Sequence, residues 1–130
     1  MSQQTILYVE DNEYNRKLVR QLVSRTSYRL IEAVDGEAGL ALARSELPNL
    51  ILMDVQLPKM SGLDATRALK ADARTSHIPI IVITSFALSG DREKAGEAGA
   101  TGYLAKPYSP RELLALLRQY LPEAAATSGE

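Results

Sequence analysis

The sequence contains no cysteine, which excludes disulfides, thiolate metal sites and thiol catalysis and is compatible with a reducing cytoplasm. It has no excess of one charge. Fifteen basic against sixteen acidic residues leave a formal charge of −1, with no global attraction to nucleic acid or to an anionic membrane. It has no apolar run near the roughly 20 residues that span a bilayer, and Met1 to Thr5 is polar rather than signal-like. A soluble cytoplasmic protein is expected, with no direct DNA binding and no membrane contact. The single histidine, His77, precedes Ile78-Pro79 without ligand-like neighbours, which disfavours a phosphohistidine or metal role. With 130 residues there is room for one core and not for a catalytic domain plus a separate output domain. Hydrophobic residues at 45% and charged residues at 24% argue against disorder.

Five short apolar runs punctuate the chain: Ile6 to Val9, Tyr28 to Val34, Leu50 to Met53, Ile80 to Ile83 and a weaker Tyr103 to Ala105. Their near-continuous Ile, Leu and Val content suits strands buried on both faces of a parallel sheet. Helical patterns lie between them. Leu18, Val19, Leu22 and Val23 form one apolar stripe on a helix from about Asn15 to Thr26. Asp35-Gly36 marks a turn before a helix over Glu37 to Glu46, and Ser61-Gly62-Leu63-Asp64 opens another. Ser109-Pro110-Arg111-Glu112 carries a full capping signature ahead of Leu113, Leu114, Leu117, Tyr120 and Leu121. The pattern from Ser89 to Ala98 contains Gly90 and Gly96 and offers mainly alanines for burial, so it is the least secured helix. Arg92, Lys94, Arg111 and Arg118 read as solvated faces. Strands alternating with helices imply right-handed βαβ units, hence an α/β, doubly wound parallel sheet with helices on both faces. One domain is expected over residues 1–121, with a frayed tail over 122–130.

In such a sheet ligands bind beyond the carboxyl ends of the strands. Strand 1 ends in Glu10-Asp11, strand 3 in Asp54, strand 4 in Thr84-Ser85, and strand 5 runs into Lys106-Pro107. Three carboxylates, a hydroxyl and an ammonium at one edge do not serve as core filling, because a core needs apolar contacts. Clustered carboxylates repel, and the hard cation that best relieves them is Mg²⁺. Asp54 can then act as a carboxylate nucleophile toward a phosphoryl group, giving an aspartyl phosphate, with Lys106 and the Thr84 hydroxyl meeting the developing charge. Each residue alone has a plainer reading: Asp11-Asn12 as a helix cap, Thr84 as a strand residue, Lys106 as a surface lysine, Tyr103 as a half-buried strand aromatic. Their joint placement is what points to a site.

Across about residues 4 to 121 the chain resembles the receiver domain of two-component response regulators, a CheY-like family. The resemblance rests on Val9-Glu10-Asp11-Asn12, Leu52-Met53-Asp54-Val55-Gln56-Leu57-Pro58, Ile83-Thr84-Ser85 and Ala105-Lys106-Pro107, each at the end of its predicted strand. Within the family the phrases are closest to single-domain cell-division (DivK-like) regulators of alphaproteobacteria and to receivers of hybrid histidine kinases. The resemblance implies a flavodoxin-like (βα)5 sandwich with strand order 2-1-3-4-5. It implies Asp54 as phosphoacceptor, Mg²⁺ held by Asp11, Asp54 and the Gln56 carbonyl with Glu10 acting through water, and Thr84 and Lys106 on the phosphoryl group. Tyr103 falls at the family's aromatic switch, and Lys106-Pro107 at a position where the family commonly has a cis bond. The implied phosphodonor is a histidine kinase or a histidine phosphotransfer protein, and the output is a change of protein partners at the face of helix 4, strand 5 and helix 5. Phe86, bulky and two residues after Thr84, is expected to shield the acyl phosphate from water.

Three other classes were weighed against these residues. A phosphatase of the haloacid-dehalogenase type needs an Asp two residues after its nucleophile, where this chain has Gln56, so a turnover enzyme is not expected. A nucleotide-binding module needs a glycine- or hydroxyl-rich cradle after strand 1, where this chain has Glu10-Asp11-Asn12-Glu13. A phosphorylation-independent interaction module, or a receiver fragment of a hybrid histidine kinase, is the alternative that the residues leave open.

Overall fold

The computed structural model describes residues 3–85 and 90–122. Five strands alternate with five helices: β1 (Thr5–Val9), α1 (Glu13–Val23), β2 (Arg29–Ala33), α2 (Gly36–Glu46), β3 (Leu50–Asp54), α3 (Gly62–Ala71), β4 (Ile80–Thr84), α4 (Asp91–Ala98), β5 (Gly102–Ala105) and α5 (Pro110–Tyr120). All pairings are parallel, as the apolar runs predict, and the sheet order is β2-β1-β3-β4-β5, the order that the family resemblance implies.

The three central strands, β1, β3 and β4, are buried at every position, as their unbroken apolar runs require when helices cover both faces. Alternation along each strand sorts the core into two halves. Leu7, Val9, Ile51, Met53, Ile80 and Val82 face α2, α3 and α4, against Leu40, Ala43, Ala65, Leu69, Ala95 and Ala98. Ile6, Tyr8, Leu50, Leu52, Ile81 and Ile83 face α1 and α5, against Val19, Val23, Leu113 and Leu117. β2 lies at the sheet edge, and only Ala33 of its five residues is buried.

The helix starts follow local chemistry. Ser61 accepts from the backbone N–H groups of Leu63 and Asp64 at the start of α3, and Ser109 with Glu112 forms the reciprocal box at the start of α5. α1 begins two residues before the expected Asn15, because the side chain of Asn12 caps it by accepting from Asn15 N at 2.9 Å. The stripe on α1 is also narrower than expected. Val19 and Val23 are buried, whereas Leu18 is 48% exposed. α4 is the least secured helix: its N-cap Gly90 provides no side-chain cap, and Ala95 and Ala98 are its buried anchors. The expected start of that helix at Ser89, and the shielding role of Phe86, lie outside the described residues, as does the tail from residue 123.

Candidate functional site

The strand ends bring Glu10, Asp54 and Lys106 into direct contact. Asp54 is the last residue of β3, paired in register with Ile83 of β4 and 2% exposed. Its Oδ1 accepts from the backbone N–H of Gln56 at 2.8 Å, and its Oδ2 accepts from the Lys106 ammonium at 2.7 Å. Glu10, one residue past β1 and also 2% exposed, lies 3.4 Å from the same ammonium through Oε1. Its Oε2 accepts from Asn12 N at 3.1 Å, and the Arg16 guanidinium donates to its backbone carbonyl at 2.9 Å.

The electrostatics follow from this crowding. Burial pushes the Glu10 carboxyl above its ordinary value, and the hydrogen bond and charge of neighbouring Asp54 push it further. Burial works against the Lys106 ammonium, yet Asp54 and Glu10 outweigh it and hold the charge above the usual lysine range. Two carboxylates therefore share one ammonium in a dry pocket, an arrangement that attracts further positive charge. Asp54 is held by two donors at the carboxyl edge of the sheet.

The backbone around Asp54 is fixed as tightly as its side chain. Val55 N donates to Ile83 O, and Gly62 N returns to Val55 O, both at 3.0 Å, which folds the β3–α3 loop back onto the strand end. That return needs a glycine, because a Cβ at position 62 would lie 1.9 Å from the Asp54 carbonyl oxygen.

Thr84, at the end of β4, is fully buried one residue beyond the register partner of Asp54. Lys106 N donates to its carbonyl at 2.8 Å, so the backbone of Thr84 and that of Lys106 are tied together. The Lys106-Pro107 bond is cis, as expected. Tyr103 is partly buried with its hydroxyl oxygen shielded from solvent, and the Arg92 guanidinium lies 5.0 Å from its ring centre. Arg92 is thus more than the solvated charge expected from the sequence: it joins α4 to β5.

Asp11 is exposed, next to Glu10 in the chain and outside the hydrogen bonds that join Glu10, Asp54 and Lys106. Among the described residues no three acidic or imidazole side chains come together closely enough to hold a metal between them. Gln56 is likewise exposed, beside Asp54. Sequence reasoning missed Tyr8. It is fully buried in β1 and donates to Glu10 Oε1 at 3.2 Å. The signal was a phenol inside an otherwise aliphatic strand, since a buried hydroxyl needs a partner.

Residues 6–118 match the model of the response regulator receiver domain, and the chain belongs to that family. It is 42% identical over 120 residues to the polar-differentiation response regulators DivK of Brucella anthropi and Brucella ovis, covering 92% of this chain and 98% of each relative. Among solved structures it is similar to the receiver domain of the sensor histidine kinase PA1611 from Pseudomonas aeruginosa PAO1, which has a magnesium ion coordinated in its active site cleft. That likeness has a TM-score of 0.85 at 37% identity, over 92% of this chain and 98% of the other. The chemotaxis protein CheY4 of Vibrio cholerae gives a TM-score of 0.86 at 28% identity, over 92% and 100%. No helix among the described residues is long and apolar enough to cross a membrane.

Proposed function

We propose that this receiver is a phosphorylation-controlled switch in which Asp54 takes a phosphoryl group from the phosphohistidine of a cytoplasmic histidine kinase or histidine phosphotransfer protein. The observation that carries the reading is the buried Asp54 carboxylate at the end of β3, fixed by Lys106 at 2.7 Å and by Gln56 N at 2.8 Å. An Asp54 oxygen attacks phosphorus, the P–N bond breaks, and its electron pair returns to the donor imidazole. Lys106 and Thr84 then face the phosphoryl oxygens.

The donor set suits Mg²⁺. Two touching carboxylates outnumber the single ammonium between them, and Mg²⁺ takes one or two carboxylates while keeping several waters, so a cage of three is not required. Asp54, Asp11 and the Gln56 carbonyl would hold it, with Glu10 acting through water; when bound, the ion neutralises charge on the phosphoryl oxygens. An open groove of about 830 Å³ between α1 and the start of α5 supports an incoming protein donor. Ser85 and Lys106 line it together with Leu18, Leu22 and Tyr108, so its apolar wall adjoins the acceptor site.

The output belongs to α4, β5 and α5. Phosphorylation adds charge and acceptors at Thr84, which biases the neighbouring Tyr103 and, through the Arg92 contact, the weakly packed α4. The protein works as a switch and not as a turnover enzyme on a separate substrate. Phosphotransfer profiling against the histidine kinases and phosphotransfer proteins of the source organism tests this. One donor should label wild type quickly and leave Asp54→Ala unlabelled. Partner binding that is identical with and without a beryllofluoride phosphate mimic would instead mark a phosphorylation-independent module.

A further inference from the structure

Tyr8 is the largest fully buried side chain among the described residues, and it stands where the same face of the sheet otherwise carries Ile6, Leu50, Leu52, Ile81 and Ile83. An aliphatic residue would fill that space without a hydroxyl to satisfy. The hydroxyl has a use: it reaches Glu10 Oε1 at 3.2 Å, while Asn12 N holds the other oxygen at 3.1 Å. Because a carboxylate only accepts, Tyr8 is the donor. The bond is buried, where a hydrogen bond is electrostatically stronger than in water.

We infer that Tyr8 is a positioning residue for magnesium binding, holding Glu10 in a fixed direction through its phenolic hydrogen bond. This rests on the reading of Glu10, Asp11 and Asp54 as the cation site. The other group near Oε1 is Lys106, which lies 3.4 Å from Glu10 but 2.7 Å from Asp54 and is drawn away toward the phosphoryl group in that reading. Tyr8 keeps Glu10 oriented whichever way the ammonium turns.

The test titrates MgCl2 into the ¹⁵N-labelled full chain and follows the amides of Asn12 and Gln56, which donate directly to Glu10 and Asp54. Tyr8→Phe keeps the ring and removes only the donor. It should raise the half-saturating Mg²⁺ concentration about fivefold, the scale of one net hydrogen bond. Thermal unfolding of the variant checks the fold, because a merely structural role would lower stability and leave the affinity of folded protein unchanged. A Tyr8→Phe value within threefold of wild type overturns the inference and leaves the cation site standing. Wild-type Asn12 and Gln56 amides that ignore MgCl2 overturn the cation site itself.

Discussion

Replacing Gly62 by alanine should damage the protein far more than one methyl group normally does. The added Cβ would lie 1.9 Å from the Asp54 carbonyl oxygen, more than 1 Å inside the 3.0 Å that real Cβ atoms respect, and 2.7 Å from its carbonyl carbon. Both sides of the clash are backbone. On one side the Asp54 end of β3 is held against β4, with Val55 N on Ile83 O at 3.0 Å. On the other, Gly62 opens α3, its N–H on Val55 O at 3.0 Å and its carbonyl accepting from the buried Thr66 hydroxyl at 2.8 Å. Relief must break the loop closure or unseat the helix start, and both displace Asp54. A cost of at least about 3 kcal/mol is expected, the upper end for overpacking. Gly96 is the internal control: it is exposed within α4 with nothing inside 4 Å of a built Cβ, so Gly96→Ala should stabilise by about 0.5–1 kcal/mol. Urea unfolding at constant m-value reads both. A loss below about 1 kcal/mol for Gly62→Ala, or equal effects at the two glycines, would refute the close approach.

Lys106→Met leaves Glu10 and Asp54 buried in contact without their ammonium, so stability at pH 7 should fall by about 2–3 kcal/mol. Millimolar MgCl2 should restore part of it in urea titrations, and a variant as stable as wild type without the ion would contradict the charge balance. Glu32 sits in the fork of Arg20, with both oxygens at 2.7 Å, and that hydrogen-bonded guanidinium holds its carboxyl below the ordinary 4.5 despite partial burial. A lowered native pKa means stability that is present above pH 4.5 and lost as pH falls through the native value. Glu32→Gln should therefore cost about 0.5–1 kcal/mol at pH 7, discounted for the half-exposed Arg20, and converge on wild type in acid. Urea midpoints across pH 3–7 check the sign. Ser109→Ala removes the cap on Glu112 N at 3.1 Å and frees the reciprocal bond, for a loss of about 1 kcal/mol by the same assay.

The fold was legible because parallel strands covered on both faces leave unbroken apolar runs such as Leu50 to Met53, and because Ser61 and Ser109 announce their helices chemically. Boundaries were less so: Asn12 and Asn15 are both competent near a helix start, and the side chain of Asn12 decides the register. Leu18 shows the limit of a periodic stripe. Its spacing matches Val19 and Val23, but it is half exposed and lines the groove instead. At the site, Glu10, Asp54 and Lys106 were legible from their positions at strand ends, since connectivity alone brings those ends together. The close approach at Gly62 and the bond from Tyr8 to Glu10 were not, because they are three-dimensional contacts between segments apart along the chain or hidden in apolar runs, with no periodic signal.

The most direct measurement locates the phosphoryl group. Wild-type protein incubated with acetyl phosphate and MgCl2, reduced with borohydride to convert an acyl phosphate to homoserine, and mapped by peptide mass spectrometry should carry the change at Asp54 alone and lose it when EDTA replaces the metal. Modification at another residue, or equal labelling of Asp54→Ala, would contradict the assignment.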